Sequence, residues 1–145
     1  MTPRTRWLTT FLLAAGCRQV AVPHEVTVVG TDYAFGVSDT LAAGPALIHY
    51  RHAGAVAHEM ILGRLREGTS PMEFADSLVH DRRVRPLLDG GTAVLFGGPA
   101  QSSDPISIAV TLIKGRHYAL WCQFTDGPGK PKHMTMGMFK LLSVR

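Results

Sequence analysis

Cysteine is scarce in this chain: among 145 residues only Cys17 and Cys122 occur. A chain of this length buries an adequate core without disulfides or structural metals, so any metal it holds serves function rather than folding. Charge is also sparse, at 18% Asp, Glu, Lys and Arg against 46% hydrophobic residues, which excludes a disordered tail and indicates one compact domain. No repeat or low-complexity tract is present. No basic stripe interleaved with aromatics exists either; Arg82-Arg83-Val84-Arg85 is the only dense cluster, read as a solvated loop, and nucleic-acid binding is excluded. Asp104 and Asp126 have no partners in sequence that suggest acid/base chemistry, and no glycine-rich oxyanion loop accompanies Cys122, so the chain is not read as an enzyme.

The first residues carry Arg4 and Arg6, then a mostly apolar run from Trp7 to Ala15 that is too short to span a bilayer. This is the pattern of a signal peptide, assigned to residues 1–16. Leu13-Ala14-Ala15-Gly16-Cys17 resembles a bacterial lipobox, which implies cleavage before Cys17 and lipidation of that cysteine. Residues 17–24 then form a tether, and 25–145 the domain. The expected location is the extracytoplasmic or periplasmic face of a membrane, held through lipidated Cys17. Of the 15 Lys and Arg, two leave with the peptide, and 13 against 11 acidic residues give a mature charge of +2. Export places Cys122 in an oxidising compartment, where a lone thiol without a partner calls for an explanation such as a metal bond.

Residues 26–35, 46–50, 58–62, 93–96, 106–113, 118–122 and 136–144 read as short strands, rich in Val, Ile, Leu and aromatics and punctuated by Gly, Pro and Asp. Such a series predicts an all-β Greek-key sandwich or barrel. One helix interrupts it at 71–80: Ser70 supplies the N-cap, Pro71 the first helical position and Glu73 the residue three after the cap. Phe74, Ala75, Leu78 and Val79 come next at helical spacing, and the helix is expected to cover the sandwich.

Cys122, His133 and Met138 stand as Cys-x10-His-x4-Met, with His58 upstream in Ala57-His58-Glu59-Met60. A thiolate, two imidazoles and a thioether are soft or borderline donors, which suit copper (Cu+/Cu2+) rather than calcium, magnesium or manganese. Strand parity places Cys122 with Tyr118 and Leu120, and His58 with Met60 and Leu62, so both ligands share a face with core residues. Taken singly, each residue reads as core filling. Their joint order and strand context favour a copper site at His58, Cys122, His133 and Met138. His24, His49, His52, His80 and His117 lack that context and stay outside the set; His117 has the opposite strand parity to Cys122.

The order Gly115-Arg116-His117-Tyr118-Ala119-Leu120-Trp121-Cys122, a loop, His133, then Gly137-Met138 and a last strand resembles the cupredoxin, or blue-copper, family. His58, just after Ala53-Gly54, takes the place of that family's upstream histidine ligand. The resemblance implies one-electron transfer through a mononuclear copper centre, with no substrate on the metal and an unidentified redox or copper-handling protein as partner to a monomer. The chain departs from the family in its long loop between Cys122 and His133, and in having His52-Ala53-Gly54 where Asn-x-Gly is frequent. Two alternatives remain. Met134, Met136 and Met138, alternating on one strand face, would form a thioether row for Cu(I) trafficking or storage, and a cupredoxin-like domain could act as a metal-free binding module.

Overall fold

The computed structural model describes residues 21–99 and 105–145. The expected signal peptide, Cys17 and residues 18–20 of the tether lie outside the described residues, as does Asp104. Among the described residues there are nine strands: β1 (His24–Thr31), β2 (Ala34–Gly36), β3 (Thr40–Leu41), β4 (Gly44–His52), β5 (His58–Leu65), β6 (Leu88–Gly97), β7 (Ile106–Leu112), β8 (His117–Trp121) and β9 (Phe139–Val144). They form two sheets, one in the order β2-β1-β4-β7 and the other β3-β9-β8-β5-β6. β1 runs parallel to β4, with His24 opposite Ala46 and Gly30 opposite His52, and β3 runs parallel to β9. The predicted Greek-key β-sandwich is therefore the fold observed. Among the described residues no helix is long and apolar enough to cross a membrane.

Alternation builds the interior. Val26 and Val28 of β1 and Ala46, Ile48 and Tyr50 of β4 face Met60 and Leu62 of β5, Leu120 of β8, and Leu142 and Val144 of β9 in one buried cluster. Cys122 and Met138 belong to that cluster, at its end nearest the β8–β9 connection. The parity expected for Cys122 and His58 therefore holds.

The opposite face of the second sheet is not left to water. Ile61, Leu65, Leu88, Ala119 and Trp121 pack against Phe74 and Leu78 of α1 (Pro71–Val79). That helix starts where its sequence predicts: the Ser70 hydroxyl accepts from the Met72 amide at 3.2 Å, and Pro71 fills the first turn. A cap of this kind contributes about 1 kcal/mol.

Two expectations are corrected. The stretch 26–35 is broken at Asp32-Tyr33, where Tyr33 has φ +62° and the chain turns from β1 into β2. The last strand begins at Phe139, not Met136, because His133–Met136 form a 3-10 turn ended by Gly137 at φ +100°. A backbone in that region disfavours any side chain, so the glycine is what allows the turn to stop there. The methionine row fails as a consequence. Met134 packs on the helix side, Met136 is exposed, and Met138 is wholly buried in the sandwich.

Candidate metal centre

β5 begins with His58, and Cys122 comes directly after β8, so adjacent antiparallel strands deliver both to one end of the sandwich. His133 returns from the long loop. That loop closes on itself through a bridge between Thr125 and Lys132, which folds the ten residues between Cys122 and His133 into a small hairpin. Backbone bonds then fix the return: His133 N–H donates to Phe124 O at 2.8 Å, Met134 N–H to Cys122 O at 2.9 Å, and Met138 N–H to His133 O at 3.0 Å. Cys122 N–H in turn donates to Met138 O at 3.2 Å.

The side chains of His58, Cys122 and His133 converge, with their ligand atoms all within 4.8 Å of one another and all three residues fully buried. His58 Nδ1 and His133 Nδ1 lie 3.0 Å apart, and Cys122 Sγ lies 3.5 Å from His133 Nδ1. Met138 is fully buried, and its backbone bonds to both Cys122 and His133. Sγ also accepts the Glu59 amide at 3.4 Å, while the buried Glu59 carboxylate accepts Gln123 N–H at 2.9 Å and ties β5 to the residue after Cys122. Burial pushes the Cys122 thiol up, against the amide bonds that favour the thiolate. A thiolate here therefore needs a cation beside it.

Three residues outside the set expected from sequence complete the surroundings. Asp32 Oδ1 lies 3.2 Å from His58 Nε2, and Asp126 Oδ1 lies 2.9 Å from His133 Nε2. Tyr33 O–H donates to Asp126 Oδ2 at 2.5 Å, and its ring stands edge-on to both imidazoles, with centroids 5.1 Å from His133 and 6.0 Å from His58. Asp126 thus has partners after all. Asp32 also accepts the Ala55 and Val56 amides, and a Cβ on Gly54 would collide with its carboxylate, so the loop before β5 is shaped around this side chain. The Ala55 amide, then His58, holds Asp32 below the usual carboxylate range; the Tyr33 hydroxyl, then His133, does the same for Asp126. Burial pulls His58 down, partly opposed by Asp32.

An ionised carboxylate only accepts hydrogen bonds, so each Nε2 carries its ring's proton. Both Nδ1 atoms then present lone pairs toward each other and toward sulfur. Lone pairs 3.0 Å apart repel unless a proton or a cation lies between them. The donor set, its burial and its tautomers suit one soft metal ion.

The histidines excluded on sequence grounds stay outside this set. His52 comes near, with its ring centroid 5.5 Å from that of His58, but its Nε2 is taken by Val56 O at 2.7 Å. His49 bonds Ser107 and His80 bonds Asp76, and His117 is exposed.

No family model matches the chain, and no curated protein matches it in sequence. Solved structures do match. Reduced auracyanin from Roseiflexus castenholzii is 12% identical, with 86% of this chain and 99% of that one covered at a TM-score of 0.53. Rusticyanin from Thiobacillus ferrooxidans is 16% identical, covering 86% and 79% at 0.50. The fold is that of the cupredoxins. Its long Cys122–His133 loop is accommodated within that fold by the Thr125–Lys132 hairpin.

Proposed function

We propose that the chain is a copper-binding electron carrier, with His58, Cys122 and His133 as equatorial ligands and Met138 as a weak axial one. The observation that carries this reading is the convergence of two imidazole Nδ1 atoms, each ring backed by a carboxylate at Nε2, and one buried sulfur. Copper at that point would supply one-electron chemistry, and the protein's own residues do the rest. Every ligand residue is closed off from solvent, which leaves no approach for a substrate and suits an ion that exchanges only electrons. The backbone bonds linking Phe124, His133, Cys122 and Met138 hold three of the four ligands in one frame, and the pairing of β5 with β8 sets His58 beside them, so little has to rearrange when the charge changes.

The separation of Met134, Met136 and Met138 argues against a thioether store for Cu(I). The sequence of residues 1–17 supports export and attachment to a membrane through Cys17; diacylation gives two apolar chains, enough for stable anchoring. A redox protein outside the cytoplasm would be the partner.

Adding Cu(II) to the purified protein and recording a visible spectrum tests the centre. An intense thiolate-to-copper band is expected, lost in Cys122→Ser and kept in Met138→Leu with a shifted potential. A colourless wild type overturns the reading. For the anchor, the wild type should sediment with bacterial membranes and Cys17→Ala should not; a wild type found wholly in the soluble fraction removes that part alone.

A further inference from the structure

Each histidine of the cluster has its outward nitrogen against a carboxylate, and the two carboxylates come from unrelated loops: Asp32 from the β1–β2 turn and Asp126 from the hairpin after β8. At the first, Tyr33 holds φ +62°, a conformation that costs a non-glycine residue free energy and persists where the surroundings require it. That conformation brings Asp32 against His58 and the Tyr33 hydroxyl against Asp126 in the same turn, so one irregular turn reaches both caps.

We propose that Asp32 and Asp126 are positioning residues, which aim both Nδ1 atoms at Cys122 and bias the centre toward the higher charge of a bound ion. The direction comes from geometry, because a ring whose Nε2 proton is taken by a carboxylate can offer only Nδ1 inward. The bias comes from charge. A negative group behind each imidazole makes the ring a stronger donor and favours Cu(II) over Cu(I), which lowers the one-electron potential. Tyr33 moderates the effect by withdrawing charge from Asp126 through its hydrogen bond. Outer partners of this kind change metal affinity about tenfold or more; a tenfold change in the Cu(II)/Cu(I) affinity ratio corresponds to about 59 mV for one electron.

The potential part of this inference rests on the copper reading, whereas the ring orientation does not. Two measurements separate them. In the metal-free protein, long-range 1H–15N NMR should find a proton on Nε2 of both His58 and His133; a bare Nε2 on either ring overturns the positioning role. In the copper protein, spectroelectrochemistry should show the potential raised in Asp32→Asn and in Asp126→Asn, each by about one tenfold step in that ratio. Tyr33→Phe keeps the ring in place but frees the second oxygen of Asp126, and should shift the potential the opposite way. A merely structural role would not produce opposite signs, and potentials equal to wild type in all three variants overturn the bias. A wild type that gives no coloured copper complex overturns the electron-carrier reading alone, and the ring-nitrogen measurement then decides the role of the two carboxylates.

Discussion

β5 and β8 are buried on both faces, but the two faces do different work. Inward, Met60, Leu62 and Leu120 meet the other sheet, and the series ends in His58 and Cys122. Outward, Ile61, Leu65, Ala119 and Trp121 meet α1 and contain no ligand donor. The inward face terminates in polar chemistry, while the outward face is an apolar clamp that holds the same strands from behind. Side chains on strands fixed from both sides have little freedom to move. Damage to the helix face should therefore lower stability without altering the centre.

Phe74→Ala is the largest expected break. Phe74 is fully buried and packs edge-on against Trp121 with ring centroids 5.6 Å apart. Removing an aromatic ring from such a place costs about 3–5 kcal/mol. Urea unfolding should show that loss, while the folded fraction keeps the wild-type copper spectrum; an altered spectrum would show that the two faces are coupled.

Gly63→Ala should do less. A Cβ at Gly63 would lie 2.9 Å from the Trp121 ring and 3.0 Å from a Leu88 methyl, overfilling the outer layer. Overpacking of this kind costs about 1–3 kcal/mol. The potential of the centre should stay at its wild-type value.

Tyr50→Phe sharpens the comparison from the inner side and acts in the opposite direction. The Tyr50 hydroxyl is buried without a hydrogen-bond partner, so its removal should leave stability unchanged or raise it by about 1 kcal/mol. Burial, and after it the nearby Cys122 and Glu59 charges, pushes this phenol well above its ordinary value. The folded state thus holds the proton more tightly than the unfolded one. The associated stability is complete below about pH 10 and falls as pH rises toward the folded value. Urea midpoints measured from neutral to alkaline pH should decline less steeply in Tyr50→Phe than in wild type.

Local signals are readable wherever a residue's role depends on its immediate neighbours. Ser70 caps the amide two residues on, Pro71 fills the first turn and Glu73 lies in that turn, and the helix lies where they place it. Strand parity is equally local, which is why Cys122 and His58 align with core residues on sequence grounds alone. The methionine row fails for a related reason. Alternation does not extend across Gly137, whose left-handed backbone ends a 3-10 turn and resets the parity of the strand after it. Asp126 reads as a loop residue because its partners, Tyr33 and His133, are joined to it only by the closing of two separate loops.

By itself the sequence determined the all-β class, the inserted helix, the soft-donor set and the chemistry such a set can perform, because side-chain type and short-range periodicity are properties of the chain alone. Only the tertiary structure decided that Asp32, Tyr33 and Asp126 surround the two histidines. Asp32 lies 26 residues from His58, and Tyr33 lies 93 from Asp126. Nothing local marks such pairs, since a carboxylate in a turn has the same sequence signature whether it faces water or an imidazole. Their partners are chosen when the sheets pack and the loops at one end of the sandwich meet.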